Sequence, residues 1–251
     1  MSAVEIGCFA LAATMVVLRL TRWRSVPQSR PFTVALTLLV LGVALRRPEM
    51  LDSSWLDSQT AADIHLANFT DLLGDLLVAT AACYIGILVA RAWGLDHVVP
   101  WIARGVAGAV LLMVVLWSIS NAPTTPVKFV GNLGGPATAY SYVAATTGLL
   151  AHLAIVLTIV VVRVPAKMRV ALLALGSAAL LGVVSNALRI ASHLAQGEVA
   201  AARERVDWPI SLTVIVLYSV AGLIGYLMTA PKRARRGGHD RPGHGPAPAT
   251  P

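Results

Sequence analysis

Seven apolar stretches are strung along this chain, and the Lys and Arg residues between them alternate sides. A helix needs about 20 mostly apolar residues to cross ~30 Å of hydrocarbon. In lipid each backbone polar group must be satisfied internally, which a helix does within its own segment. The spans read at about 3–20, 32–45, 66–90, 105–120, 140–162, 170–190 and 210–228. They are too long and too uniformly apolar for the alternating strands of a membrane barrel. The expected fold class is therefore all-α: a polytopic membrane protein with a bundle of seven transmembrane helices over residues 1–230. A mean hydropathy of +0.73 and a charged content of 13% agree with that class rather than with a soluble domain.

The second span is short and ends in Arg46-Arg47-Pro48, so charge has to decide whether it crosses. With seven spans, 14 of the 20 Lys and Arg fall on one side and 6 on the other; without the second span the division is 10 against 10. Basic residues in short loops favour the cytoplasm, which selects seven spans with the N-terminus out and the C-terminus in. Arg46 and Arg47 are expected to snorkel to the outer interface. Trp23, Trp93 and Trp101 fall at inner span ends and Trp55, Trp117 and Trp208 at outer ones, as interfacial belts require. The first charge is Glu5, with no basic segment before it, so the first span reads as an anchor rather than a cleaved signal. Cys8 and Cys83 both lie within spans, against a disulfide framework.

The outer connections are the longer ones: Arg46–His65, Asn121–Ala139 and Ala191–Pro209, the last with a short amphipathic surface helix expected over Glu198–Val206. The inner connections are too short to house a catalytic domain. Residues 231–251 form a basic tail rich in Gly, His and Pro, which cannot bury a core and is expected to be disordered in the cytoplasm. Within it Lys232, Arg233, Arg235 and Arg236 are candidate lipid-binding residues, each contributing on the order of 1 kcal/mol toward an anionic surface.

Ionisable groups inside spans are costly and mark candidate sites. On the third span His65, Asn68, Asp71 and Asp75 share a stripe of about 120° at helical spacing. On the sixth, Gly182, Asn186, Arg189 and His193 fall within about 60° of one another. Both stripes are polar at the outer end and small toward the centre. Two carboxylates in low dielectric need a cation, and Arg189 is the candidate at that depth. The third and sixth spans should therefore meet through Asp71/Asp75–Arg189, flanked by Asn68, Asn186 and His193. Such a cluster is either a ligand or ion site open to the outer face or a purely structural tie between helices. His152, in mid-span, reads as a helix–helix hydrogen-bonding residue, while Tyr140, Tyr142, Tyr218 and Tyr226 lie near interfaces or pack.

Lys128, Lys167 and Lys232 all lie outside the spans, which excludes a retinal Schiff base in the seventh helix. No close His pair, P-loop, HExxH or nucleophile elbow occurs, so no catalytic residue, metal site or cofactor is expected. The Ala/Val/Arg/Gly-rich composition is that of a high-GC genome. The stretch Leu56-Asp57-Ser58-Gln59-Thr60, followed by Asn68-Phe69 at the third span, resembles a family of actinobacterial seven-helix integral membrane proteins that carry a transporter label. The resemblance covers the membrane region only. Many members of that family carry a cytosolic domain after the last span, where this chain has the basic tail.

The functional expectation is a multi-pass protein of the bacterial inner membrane, transporter-like or sensor-like and without catalysis. The alternatives are an interaction or regulatory protein whose polar cluster is structural, and a metal-dependent intramembrane hydrolase built on His65, Asp71, Asp75, His152 and His193. Membrane lipids are the expected partners, with another membrane protein or a second copy of the chain as further ones, and nucleic acid is not.

Overall fold

The computed structural model describes residues 2–47, 62–162, 168–195 and 197–228. Among these residues stand seven long helices and no strand: α1 (Ala3–Thr21), α2 (Arg30–Leu45), α3 (Phe69–Ala92), α4 (Val99–Ser118), α5 (Gly135–Val161), α6 (Arg169–Leu194) and α7 (Glu198–Met228). All seven, α2 counted with the 3-10 turn Pro27–Ser29 that leads into it, are long and apolar enough to cross a membrane. Their start signals are legible in the sequence. Ser2 and Glu5 form a reciprocal capping box at α1, while Pro31, Pro100 and Pro136 occupy first-turn positions where the missing N–H costs nothing.

The closest pairings are α6 with α7, α2 with α3 and α5 with α6; α3 also packs on α5, and α4 lies at the edge against α3 and α5. One apolar core joins Met15, Leu36, Ile85, Ile155 and Tyr218. Another, toward the end where α1 begins, joins Leu72, Met113, Trp117, Val130 and Tyr140. Large apolar side chains such as Val160, Leu173 and Leu111 point outward, at 77%, 68% and 66% exposure. A soluble bundle would bury that surface, whereas a lipid-facing one presents it. At the far end Arg19 is buried rather than solvated. Its Nε donates to Thr33 Oγ1 at 3.1 Å and its Nη1 to the Gly222 carbonyl at 3.1 Å, tying α1 to α2 and α7.

Three connections differ from the expectation. α6 continues through Leu194 and α7 starts at Glu198, so Glu198–Val206 is the first part of a transmembrane-length helix, not a separate surface helix. The polar run before Pro209 suggested a loop. Here its buried face carries Arg203, only 4% exposed, and the helix passes through Pro209 at the loss of one backbone donor. α4 begins at Val99 and α5 at Gly135, each about one and a half turns earlier than hydropathy alone placed them. Trp117 is buried, edge-on to Phe69 at 6.3 Å, instead of lying in an interfacial belt. Trp93 and Trp101 remain exposed at the opposite end. Trp55, Leu56–Thr60 and the tail, with Lys232, Arg233, Arg235 and Arg236, lie outside the described residues.

Candidate functional site

Asp71 and Asp75 stand one turn apart on α3, both buried. Asp75 is the hub. Arg189 of α6 grips it with both terminal nitrogens, Nη1 to Oδ1 at 2.9 Å and Nη2 to Oδ2 at 2.6 Å. The Tyr140 hydroxyl of α5 donates to Oδ2 at 2.8 Å. Arg46, directly after α2, adds Nη1 at 3.1 Å from Asp75 Oδ1, and its Nε donates to Asp71 Oδ1 at 2.9 Å. Two carboxylates one turn apart repel in low dielectric, and two guanidiniums cancel them. Buried charge is tolerated on these terms of pairing and hydrogen bonding. Burial alone would lower the Arg46 pKa, but Asp75 and Asp71 outweigh it and hold the guanidinium above its ordinary value.

The network extends through α5 and α6. Arg189 Nε donates to Ser141 Oγ at 2.9 Å, and the same hydroxyl lies 2.9 Å from His193 Nε2. His193 meets the Tyr142 ring edge-on at 5.6 Å. Ser192 accepts from Arg203 Nη1 at 3.1 Å, and Arg203 stacks over Phe129 at 4.6 Å. Gly131 presses on the same spot, where a Cβ would meet His193 Nε2 at 2.6 Å and Ser141 Cβ at 2.7 Å.

The expected meeting of α3 and α6 is therefore present, with Asp75 taking Arg189. Asp71 instead takes Arg46, so Arg189 is not the sole cation at this depth, and Arg46 does not snorkel away. The sequence signal for Arg46 is a pair of glycines. A Cβ on Gly74 would sit 2.6 Å from Arg46 Cγ, and one on Gly42 would sit 2.9 Å from the Gly74 carbonyl oxygen. These glycines let α2 and α3 approach until the arginine stem lies across α3.

The other expected members are used differently. Asn68, at φ 57°, clamps the connection after α4: its amide donates to the Ala122 and Thr125 carbonyls at 2.8 Å each and its Oδ1 accepts the Val127 N–H at 3.0 Å. Asn186 donates to the Gly182 carbonyl of its own helix at 2.7 Å and packs against Gly148. His65 is exposed, at φ 58°, and the polar network described above does not run through it. Among the described residues no three His, Cys, Asp or Glu side chains are grouped as a metal site, and His152 packs against Gly182, deeper in the bundle.

Two cavities flank the cluster. One of about 70 Å³ is lined by Arg46, Asp71, Lys128, Glu204, Asp207 and Trp208. Another of about 330 Å³ is lined by Gly131, Asn132, Thr138, Ser192, His193 and Ala200. Around the first, Lys128 pairs with Glu204 at 2.6 Å, and Ser185 donates to Asp207 at 3.3 Å. Asp71 and Arg46 both belong to the charged network and to this wall, and Arg46 is the more exposed of the two. Its side chain is 22% exposed, against 2% for Asp75.

Comparison with known proteins returns no family model, no curated protein and no solved structure that matches this chain. The described chain is an all-helical protein with seven helices of membrane-crossing length and apolarity.

Proposed function

We propose that this is a multi-pass protein of a bacterial inner membrane, N-terminus out, acting as a transporter-like or sensor-like module without catalysis. In this reading a small polar solute or ion reaches the 70 Å³ cavity from outside and engages the Arg46–Asp71 pair. The observation that carries it is the position of Arg46, which holds both carboxylates and still lines a cavity. A solute that competes for Arg46 or Asp71 would loosen the α2–α3 contact, which is how occupancy would reach the helices. The transporter half of the reading draws on the resemblance through Leu56–Thr60 and Asn68-Phe69.

The test is thermal unfolding of the purified protein in detergent, with sodium, potassium or choline chloride exchanged at constant ionic strength. A midpoint that depends on the ion in wild type, and no longer does in Arg46→Gln or Asp71→Asn, supports the site. Ion-independent midpoints in all three overturn an ion site there.

A second reading has its own support. Asp75 and Arg189 form a buried, bidentate contact whose side-chain oxygens and nitrogens all have protein partners, as a structural tie between helices would. In that case the protein is a membrane interaction or regulatory module, and co-purification of another membrane protein supports it.

A further inference from the structure

The cavity of about 330 Å³ beside the charged cluster is walled by the connection before α5, the first turn of α5, the end of α6 and the start of α7. Its wall hydroxyls have no proton to give. Thr138 donates to the Gly131 carbonyl at 2.8 Å, and Ser192 donates to the Arg189 carbonyl at 2.9 Å. Two wall donors remain. The side-chain amide of Asn132 is exposed and makes no hydrogen bond to a described residue. The other is the His193 imidazole. Ser141 Oγ accepts the Arg189 Nε–H, so its own proton goes to His193 Nε2, 2.9 Å away. A neutral imidazole that accepts at one nitrogen carries its proton on the other. The His193 Nδ1–H is therefore a donor. It has no partner among the described residues and is not sealed from solvent.

The charge behind the wall has the sign that completes such a site. Arg203 is 4% exposed, and its Nη1 reaches Ser192 Oγ, a wall atom, at 3.1 Å. Its guanidinium stacks over the Phe129 ring, its Nε has no partner, and no described carboxylate lies within 4 Å of it. The other cations are balanced: Arg46 by Asp71, Arg189 by Asp75 and Lys128 by Glu204. Asp207, one turn after Arg203, holds Ser185 and lines the smaller cavity instead. No carboxylate lines this one. α5 also starts here, at Gly135 and without a side-chain cap, so its positive end adds to the same field. A buried guanidinium without a counter-charge is costly, and neither a cation nor an apolar solute would relieve it. What fits is a compact anion that accepts hydrogen bonds.

We propose that this cavity binds a small carboxylate, whose oxygens accept from His193 Nδ1–H and the Asn132 amide while Arg203 supplies the opposing charge from behind Ser192. The site is separate from the Arg46–Asp71 cavity and stands or falls independently of it.

The test uses acetate and acetamide, which share a shape and differ in charge. Each is titrated into the full chain in detergent, near neutral pH and at constant ionic strength, with isotope-labelled histidine. The His193 nitrogen signals are identified by their loss in His193→Gln. Acetate should shift the Nδ1 resonance to saturation, and acetamide should need about tenfold higher concentration. Arg203→Gln should remove most of that advantage while the acetamide response persists, showing the cavity intact. Asn132→Ala, at an exposed position, should weaken both probes and serves as the test if Arg203→Gln does not fold. No saturable shift with acetate, equal responses to the two probes in wild type, an acetate advantage that survives Arg203→Gln, or unchanged acetate affinity in Asn132→Ala would each overturn the proposal.

Discussion

Arg189 and Asp75, 114 positions apart in sequence, meet through two parallel hydrogen bonds of 2.9 and 2.6 Å. The fork-to-fork geometry is specific to a guanidinium facing a carboxylate, and an ammonium cannot reproduce it. Tyr140 and Arg46 take up further acceptor capacity of Asp75, so its charge is stabilised from α5, α6 and the end of α2 together.

Breaking this pair from one side should be expensive. Asp75→Asn or Arg189→Met leaves a buried charge uncompensated and should cost about 3–5 kcal/mol of stability. The double variant Asp75→Asn/Arg189→Met keeps Arg46 with Asp71 and should be less destabilised than the two single losses added together. Unfolding midpoints in detergent measure the coupling, and strict additivity would show that the two residues do not act as a unit.

Gly182 gives the His152 ring its place. A Cβ on Gly182 would overlap that ring, so Gly182→Ala should cost about 1–3 kcal/mol by overpacking. Adding His152→Ala vacates the space, and the double variant should recover part of the loss relative to His152→Ala alone with the overlap cost added. An unchanged midpoint in Gly182→Ala would show that α5 and α6 shift apart freely at this point.

Asn68 is expected to order the connection that follows α4. Asn68→Ala removes three hydrogen bonds to residues 122–127 and should speed amide exchange at Val127. Asn68→Gly relaxes the left-handed φ but restores none of those bonds, so it should exchange as fast as the alanine variant. Slow exchange in the glycine variant would assign the ordering to backbone conformation instead.

Orientation is testable with single cysteines placed in a chain whose Cys8 and Cys83 are replaced by serine. Lys128→Cys should react with a membrane-impermeant maleimide added to intact cells, and Ser25→Cys only after the membrane is opened. The reverse pattern would invert the assignment.

The seven long apolar helices were legible because a bilayer-length apolar run is a strong signal on its own, and the Asp75–Arg189 contact between α3 and α6 was legible because unpaired charge at matched depth is intolerable. Arg46 was hidden. It follows the last apolar residue of α2, and its inward course depends on Gly42 and Gly74 bringing two helices together, which no single-helix pattern expresses. The start of α7 was obscured by Pro209 and by a polar run whose buried face, with Arg203 over Phe129, exists only after folding. Asn68 lay on the expected stripe but serves the neighbouring connection, because at φ 57° it stands just before the first turn of α3 and its side chain bonds residues 122–127 rather than the helix end.

The members of the charged network come from four different pieces of chain: Arg46 after α2, Asp71 and Asp75 on α3, Tyr140 and Ser141 on α5, and Arg189 on α6. Withdrawing any one of them strands a charge or a hydroxyl in a medium that cannot solvate it. Unless a competing group replaces one of these partners, this end of the bundle is therefore clamped. Helix bending that leaves these pairs intact falls nearer the middle of the bundle, with this end as the fixed jaw.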